Sequence, residues 1–151
     1  MSLDNTALLP PSSRIRTVMT KIGTELTPIV ETVRYFLRLP EEETDDLVAY
    51  IEFSPPMTIV NESLQSSQRS WITLPIVVYL YVNESDTRIL ADLIEHATET
   101  LMAASAITNY RNAFSTDVGF SIEKITVAEV GFGDEYGQVK LIIEVLMHHE
   151  V

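Results

Sequence analysis

Apolar residues recur at two different spacings along this chain, and the alternation between them outlines the fold. Ile15, Val18, Met19, Ile22 and Leu26 fall at helical spacing and form one apolar stripe. Ser12 or Ser13 can cap that helix by accepting the free amides of its first turn. Thr27-Pro28 ends it, because the residue before proline avoids helical backbone. From Val30 to Leu39 the period becomes two: Val33, Tyr35, Leu37 and Leu39 share a face, and Thr32, Arg34 and Arg38 mark the other, with Phe36 among them. This predicts a strand. A second strand follows at Leu47–Phe53, after Pro40 and the acidic run Glu41-Glu42-Glu43-Thr44-Asp45-Asp46, so the pair reads as an antiparallel hairpin with a long loop.

Ser54 to Ser70 breaks the pattern. It opens on Pro55-Pro56, is polar overall, and scatters Met57, Ile59, Val60 and Leu64. It reads as a long extended loop, and loops of more than about 12–15 residues in compact domains tend to be functional or disordered. Trp71 to Val82 is the strongest β-former and is apolar on both faces, as expected of a central strand covered twice. Pro75 within it cannot donate to a ladder and belongs at a bulge or an unpaired position. Ser85-Asp86 then caps a second helix with the buried stripe Ile89, Leu90, Leu93, Ile94, Ala97, Leu101 and Met102, running to about Ala104. Val118–Phe132 and Val139–Met147 are strands around the turn formers Gly133 to Gly137.

The fold class these elements predict is α+β: a two-layer sandwich, with a mixed, mainly antiparallel sheet of about five strands and two helices on one face. All of 1–151 reads as a single assembly domain, with an irregular N-terminal arm at 1–11 and the long loop at 54–70.

Composition narrows the function. The apolar share of 46% is that of a globular chain, and the absence of cysteine removes disulfides, thiolate metal sites and cysteine nucleophiles. The start, Met-Ser-Leu-Asp-Asn, lacks the basic and apolar regions of a signal peptide. The longest apolar run, Leu74–Val82, is far short of the roughly 20 residues of a membrane span. The host cytoplasm is the expected place of synthesis, with no membrane partner. A net charge of −12 disfavours wrapping the outside of DNA, and with it sequence-specific nucleic-acid binding. Acidity keeps a protein soluble; it can also line a passage through which DNA slides without sticking.

No arrangement of residues carries catalysis. The three histidines, His96, His148 and His149, have no nucleophile set beside them in sequence. Gly131-Phe132-Gly133 leads into a turn and a strand, not the helix a phosphate loop needs. The run Glu41 to Asp46 offers oxygen ligands for a hard cation but lacks the spacing of an EF-hand loop. The carboxylate and histidine pairs Glu95/Glu99 and Asp92/His96 read as a solvated helix face. No cofactor and no metal site is expected.

What remains is apolarity that the chain's own elements do not account for. The loop's Met57, Ile59, Val60 and Leu64, with Arg69 and Trp71 at its end, read as a contact for another subunit or for a tube. Folding of the loop back over its own sheet is the other reading.

In element order the chain resembles the tail terminator (tail completion, minor tail) proteins of long-tailed phages. The matching features are the opening Arg14-Ile15-Arg16-Thr17-Val18, the strand through Leu74-Pro75-Ile76-Val77-Val78, the helix with Leu90-Ala91-Asp92-Leu93-Ile94, and the closing hairpin of Ile125–Glu129, Gly131-Phe132 and Val139-Lys140-Leu141. The similarity spans most of the chain and is one of pattern. It implies a virion protein at the tail–neck region, with no catalytic residue, working as a hexameric ring. Its partners would be itself, the tail tube protein and the head–tail connector protein. The ring would cap the tube and end its polymerisation. On that analogy Glu41, Glu42, Glu43, Asp45 and Asp46 form a lumen-facing acidic loop. The alternatives are a neck or head-completion protein, a small metal-dependent enzyme using 41–46, and a bacterial binding domain unrelated to phage. The long Pro55-Pro56 segment and the acidity depart from the commoner pattern of the family.

Overall fold

The computed structural model describes residues 11–35, 42–54, 56, 58–63, 68–84, 86–106, 120–132 and 136–150. In chain order they form α1 (Pro11–Leu26), β1 (Thr32–Arg34), β2 (Leu47–Phe53), β3 (Thr58–Ser63), β4 (Gln68–Val82), α2 (Thr87–Ser105), β5 (Phe120–Phe132) and β6 (Gly137–Glu150). The sheet runs β1-β2-β4-β6-β5, with β3 paired to β4 beside that path. All pairings are antiparallel except β1 with β2. This is the mixed, mainly antiparallel α+β sandwich that the periodicity predicts, with a sixth strand.

The periods explain the layers. On β4 the even positions Leu74, Ile76, Val78 and Leu80, and on β6 the odd positions Val139 to Met147, are buried in one cluster with Val18, Ile22 and Leu26 of α1 and Leu90, Leu93, Ala97 and Leu101 of α2. Both helices therefore cover the same sheet face. Asp86 caps α2, its carboxylate accepting from the Arg88 amide at 2.9 Å. At the other end Ser105, buried, accepts the Ile122 amide at 2.7 Å and ties the helix to β5. Helix α1 begins at Pro11, so Ser12 and Ser13 lie inside its first turn rather than capping it. Proline suits that position, since the first amides of a helix have no partner to lose. The arm's residues 1–10 lie outside the described residues.

Three further differences from the sequence reading have physical causes. First, β1 lies parallel to β2, Thr32 to Arg34 beside Val48 to Tyr50, and is not one arm of an antiparallel hairpin. The chain between them, residues 35–46, is about as long as a parallel return requires. Its later part comes back along β1, where Glu43 and Asp45 hold Arg34 at the strand's end and Asp45 also accepts from Thr32 at its start. Second, the segment 54–70 is not one long loop. Thr58-Ile59-Val60 is β-branched and pairs in unbroken register with β4, from Thr58 opposite Thr73 to Ser63 opposite Gln68. That pairing satisfies one edge of β4 where β2 no longer reaches it. Third, the last strand does not stop at Met147: His148 and His149 pair in β6 opposite Trp71 and Ser70.

Pro75 sits where the sequence reading puts it. On one edge of β4, β3 pairs as far as Thr73 and β2 begins at Ile76, so Pro75 falls at the changeover. Its carbonyl accepts the Ser54 amide at 3.2 Å on that edge. A residue's N–H and C=O point to the same side of a strand, so the missing donor faces the gap between the two partners.

Candidate interaction surface

The second face of the sheet has no helix on it among the described residues. Its residues alternate with the core set: Val48, Tyr50 and Glu52 on β2, Val77, Tyr79 and Tyr81 on β4, and Lys140, Ile142, Glu144 and Leu146 on β6. At one end it forms its own small cluster, with Val48, Tyr50 and Tyr81 buried and Tyr79 and Tyr136 packed against them. Tyr136 stacks on Tyr81 with ring centroids 5.9 Å apart. Farther along, Ile142 and Leu146 are half-buried beside the Lys124–Glu144 pair, whose 3.9 Å separation and exposure make it weak.

The acidic loop closes the aromatic end. The Glu43 side chain has no exposure to solvent. It accepts Arg34 Nε at 2.9 Å and a second guanidinium N–H at 3.1 Å, the amides of Thr44 and Asp45 at 2.9 and 3.1 Å, and the Tyr50 hydroxyl. Asp45 accepts Arg34 and Thr32, each at 2.8 Å. Burial pushes the Glu43 carboxyl up, but the bonds from Arg34, Tyr50 and the two amides outweigh it and hold the group at about 2. Burial, then the bond to Glu43, pushes the Tyr50 hydroxyl well above the ordinary tyrosine range. The loop is thus an internal clamp joining β1, β2 and the aromatic cluster.

This corrects the placing of Glu43 in an acidic lining: its charge is enclosed and neutralised by Arg34. Asp45, partly buried, is shared with the same guanidinium. Glu42 and Asp46 are exposed, and Glu41 lies outside the described residues. The clamp also removes two of the ligands that a metal site in 41–46 would use. Among the described residues no group of three or more His, Asp or Glu is arranged to hold a metal ion.

Of the six residues read as a subunit or tube contact, Met57 and Leu64 lie outside the described residues. Ile59 and Val60 stand on β3, opposite Ile72 and Trp71; Arg69 stands on β4, between Glu62 of β3 and Glu150 of β6. The structure describes these four as backbone, so it places them on one three-stranded extension of the sheet.

Which strands form the edges of the sheet is not legible in the sequence. β1 is a three-residue strand beside the Arg34 clamp. β5 is interrupted by two bulges, between Ile122 and Lys124 and between Val127 and Glu129. Short strands, charge and bulges are the devices that protect an edge from pairing. β3 has neither bulge nor register shift, and no described strand pairs its outer side. The β-branched run Thr58-Ile59-Val60 was the available signal.

No protein-family profile and no curated protein matches the sequence. Among solved structures, a chain of the virion of a native gene transfer agent particle aligns with a TM-score of 0.40 and 10% identity, covering 91% of this chain and 90% of that one. The type 4 fimbrial biogenesis protein PilO from Pseudomonas aeruginosa aligns with a TM-score of 0.35 and 12% identity, over 97% of this chain and 76% of that one.

Proposed function

We propose that this chain is a virion structural protein of the tail terminator kind, acting as a homo-oligomeric ring, a hexamer in the family it resembles. The ring caps the tail tube, ends its polymerisation and joins the tail to the head connector. The outer edge of β3, which no described strand pairs and no bulge interrupts, carries this reading. It is a regular row of backbone donors and acceptors on a sheet whose other two edges are blunted. A strand of the next copy added there makes a head-to-tail contact, which closes a ring when its rotation allows. The second face of the sheet, with no helix on it among the described residues and with Ile142 and Leu146 half-buried, supplies a second surface for the tube. Glu42 remains available to repel DNA from a lumen.

Electron microscopy of particles lacking the protein tests the role. Overlong tails are expected of a missing terminator. Tails of normal length left without heads would move the assignment to a neck or head-completion protein, and intact particles would contradict both. Proline placed in turn at residues 59 to 62 tests the edge. Alternate positions point their N–H outward, so two of these changes spare the ladder to β4 and still block addition of a strand. Those two variants should fold and fail to restore the particle.

A further inference from the structure

Where α1 turns into β1, the start of β2 and the start of α2 come together around a groove far from β3. Its larger part, about 490 Å³, is lined by Glu31, Asp46, Leu47, Asn83, Glu84 and Ile89, with Val82 below. It continues past Leu47 and Ile89 into a smaller part of about 270 Å³, reaching Leu93, Asp92 and His96. The floor is aliphatic: Leu47 and Ile89 are half-buried and pack against the core, and Leu93 is buried. The rim is acidic. Glu31, Asp46, Glu84 and Asp92 are all exposed, and none is in an ion pair with a described residue. No lysine or arginine is among the described residues lining either part.

The groove is held open by bonds among its walls. The Glu31 amide donates to Leu47 O at 2.9 Å, and the Asn83 amide to Asp46 O at 2.8 Å. The Asp46 amide donates to the Glu31 carboxylate at 3.1 Å, and the Asn83 side-chain amide to the Asp46 carboxylate at 3.2 Å. Glu84, just before α2, is accounted for by the positive end of that helix. Glu31 and Asp46 come from other segments, and the helix dipole does not account for them. Four carboxylates around an aliphatic floor, with no lysine or arginine among the described residues that line it, form a surface whose complement is cationic and apolar at once.

We propose that this groove docks a basic segment of a different protein: an aliphatic side chain seated between Leu47 and Ile89, with lysine or arginine on either side meeting Glu31, Asp46 and Glu84. A second copy of this chain is a poor occupant, because it carries 22 acidic residues against 10 basic ones. The groove shares no residue with β3, so this inference stands apart from the ring.

The test uses the full chain and a short amidated peptide of alternating lysine and leucine, followed by methyl NMR and calorimetry. Saturable binding is expected, with shifts concentrated at Leu47, Ile89 and Leu93. Asp46→Asn with Glu84→Gln should weaken it about fivefold. Glu95→Gln with Glu99→Gln removes the same charge from the exposed face of α2 and should leave the affinity within about twofold. Replacing leucine by serine in the peptide should weaken binding as well. No binding at millimolar peptide overturns the proposal, as does equal loss in both double variants. So does equal binding of the lysine–serine peptide, which would reduce the groove to a general cation attractor. Occupation of the groove by a second copy, seen as concentration-dependent shifts without peptide, also overturns it.

Discussion

Glu43→Gln keeps the shape of the side chain and removes its charge. In the native fold that charge is enclosed and takes bonds from Arg34, Tyr50 and two amides, which hold the carboxyl at about 2 against an ordinary value near 4.5. That difference corresponds to roughly 3 kcal/mol of preference for the ionised form. Because Arg34 and Asp45 are partly exposed, water screens part of the clamp, and about 2 kcal/mol is the expected contribution to stability. For a chain of this size the loss should lower the melting temperature by about 6 °C. The pH dependence has a definite sign. A folded-state value below the unfolded one means that the unfolded chain binds the proton first as pH falls. The contribution is therefore complete above about pH 4.5 and is lost as the pH drops toward 2. Urea unfolding of both proteins between pH 7 and pH 2.5 measures it. The two curves should be separated at neutral pH and converge in acid. A Glu43→Gln variant within about 0.5 kcal/mol of wild type at pH 7, with the same acid profile, would refute the clamp.

Ser105→Ala leaves the Ile122 amide buried without the acceptor it has at 2.7 Å, and should cost about 1–3 kcal/mol in urea, with faster hydrogen exchange at Ile122. Gly23→Ala would add about 1 kcal/mol of helix propensity in open space, but here the new methyl meets the Tyr35 ring and, at 3.1 Å, Val33. A net loss of stability is expected, and a gain would show that Tyr35 does not occupy that position. Calorimetric titration with calcium, magnesium and manganese should show no site at 41–46, because Arg34 already occupies Glu43 and Asp45. Binding abolished by Glu43→Gln would reverse that.

Periodicity carried most of the fold into view, because a half-buried helix and a half-buried strand each impose one spacing on their apolar residues. The stripes of α1 and α2 and the alternation of β6 are of this kind. The direction of β1 was hidden, since a parallel and an antiparallel pair have the same side-chain period. The parallel register with β2 and the bonds from Arg34 to Glu43 and Asp45, between residues nine and eleven apart, show the return of the chain. The same bonds hid the fate of the acidic run: six consecutive polar residues read as a solvated loop, and charge alone does not tell an enclosed carboxylate from an exposed one. β3 was obscured by polar neighbours and by Pro55-Pro56, which mask a six-residue pairing. The interaction surface consequently moved, from apolar side chains on a free arm to the outer edge of a hairpin that belongs to the chain's own sheet.

The account depends most on that edge being filled by another copy. Native mass spectrometry of the purified chain across a range of concentrations, repeated with preformed tail tubes, measures this directly. Copies added to one another through β3 should give a single closed multiple of the 17.0 kDa chain, alone or on the tube. A protein that stays at the mass of one chain in both conditions would contradict it.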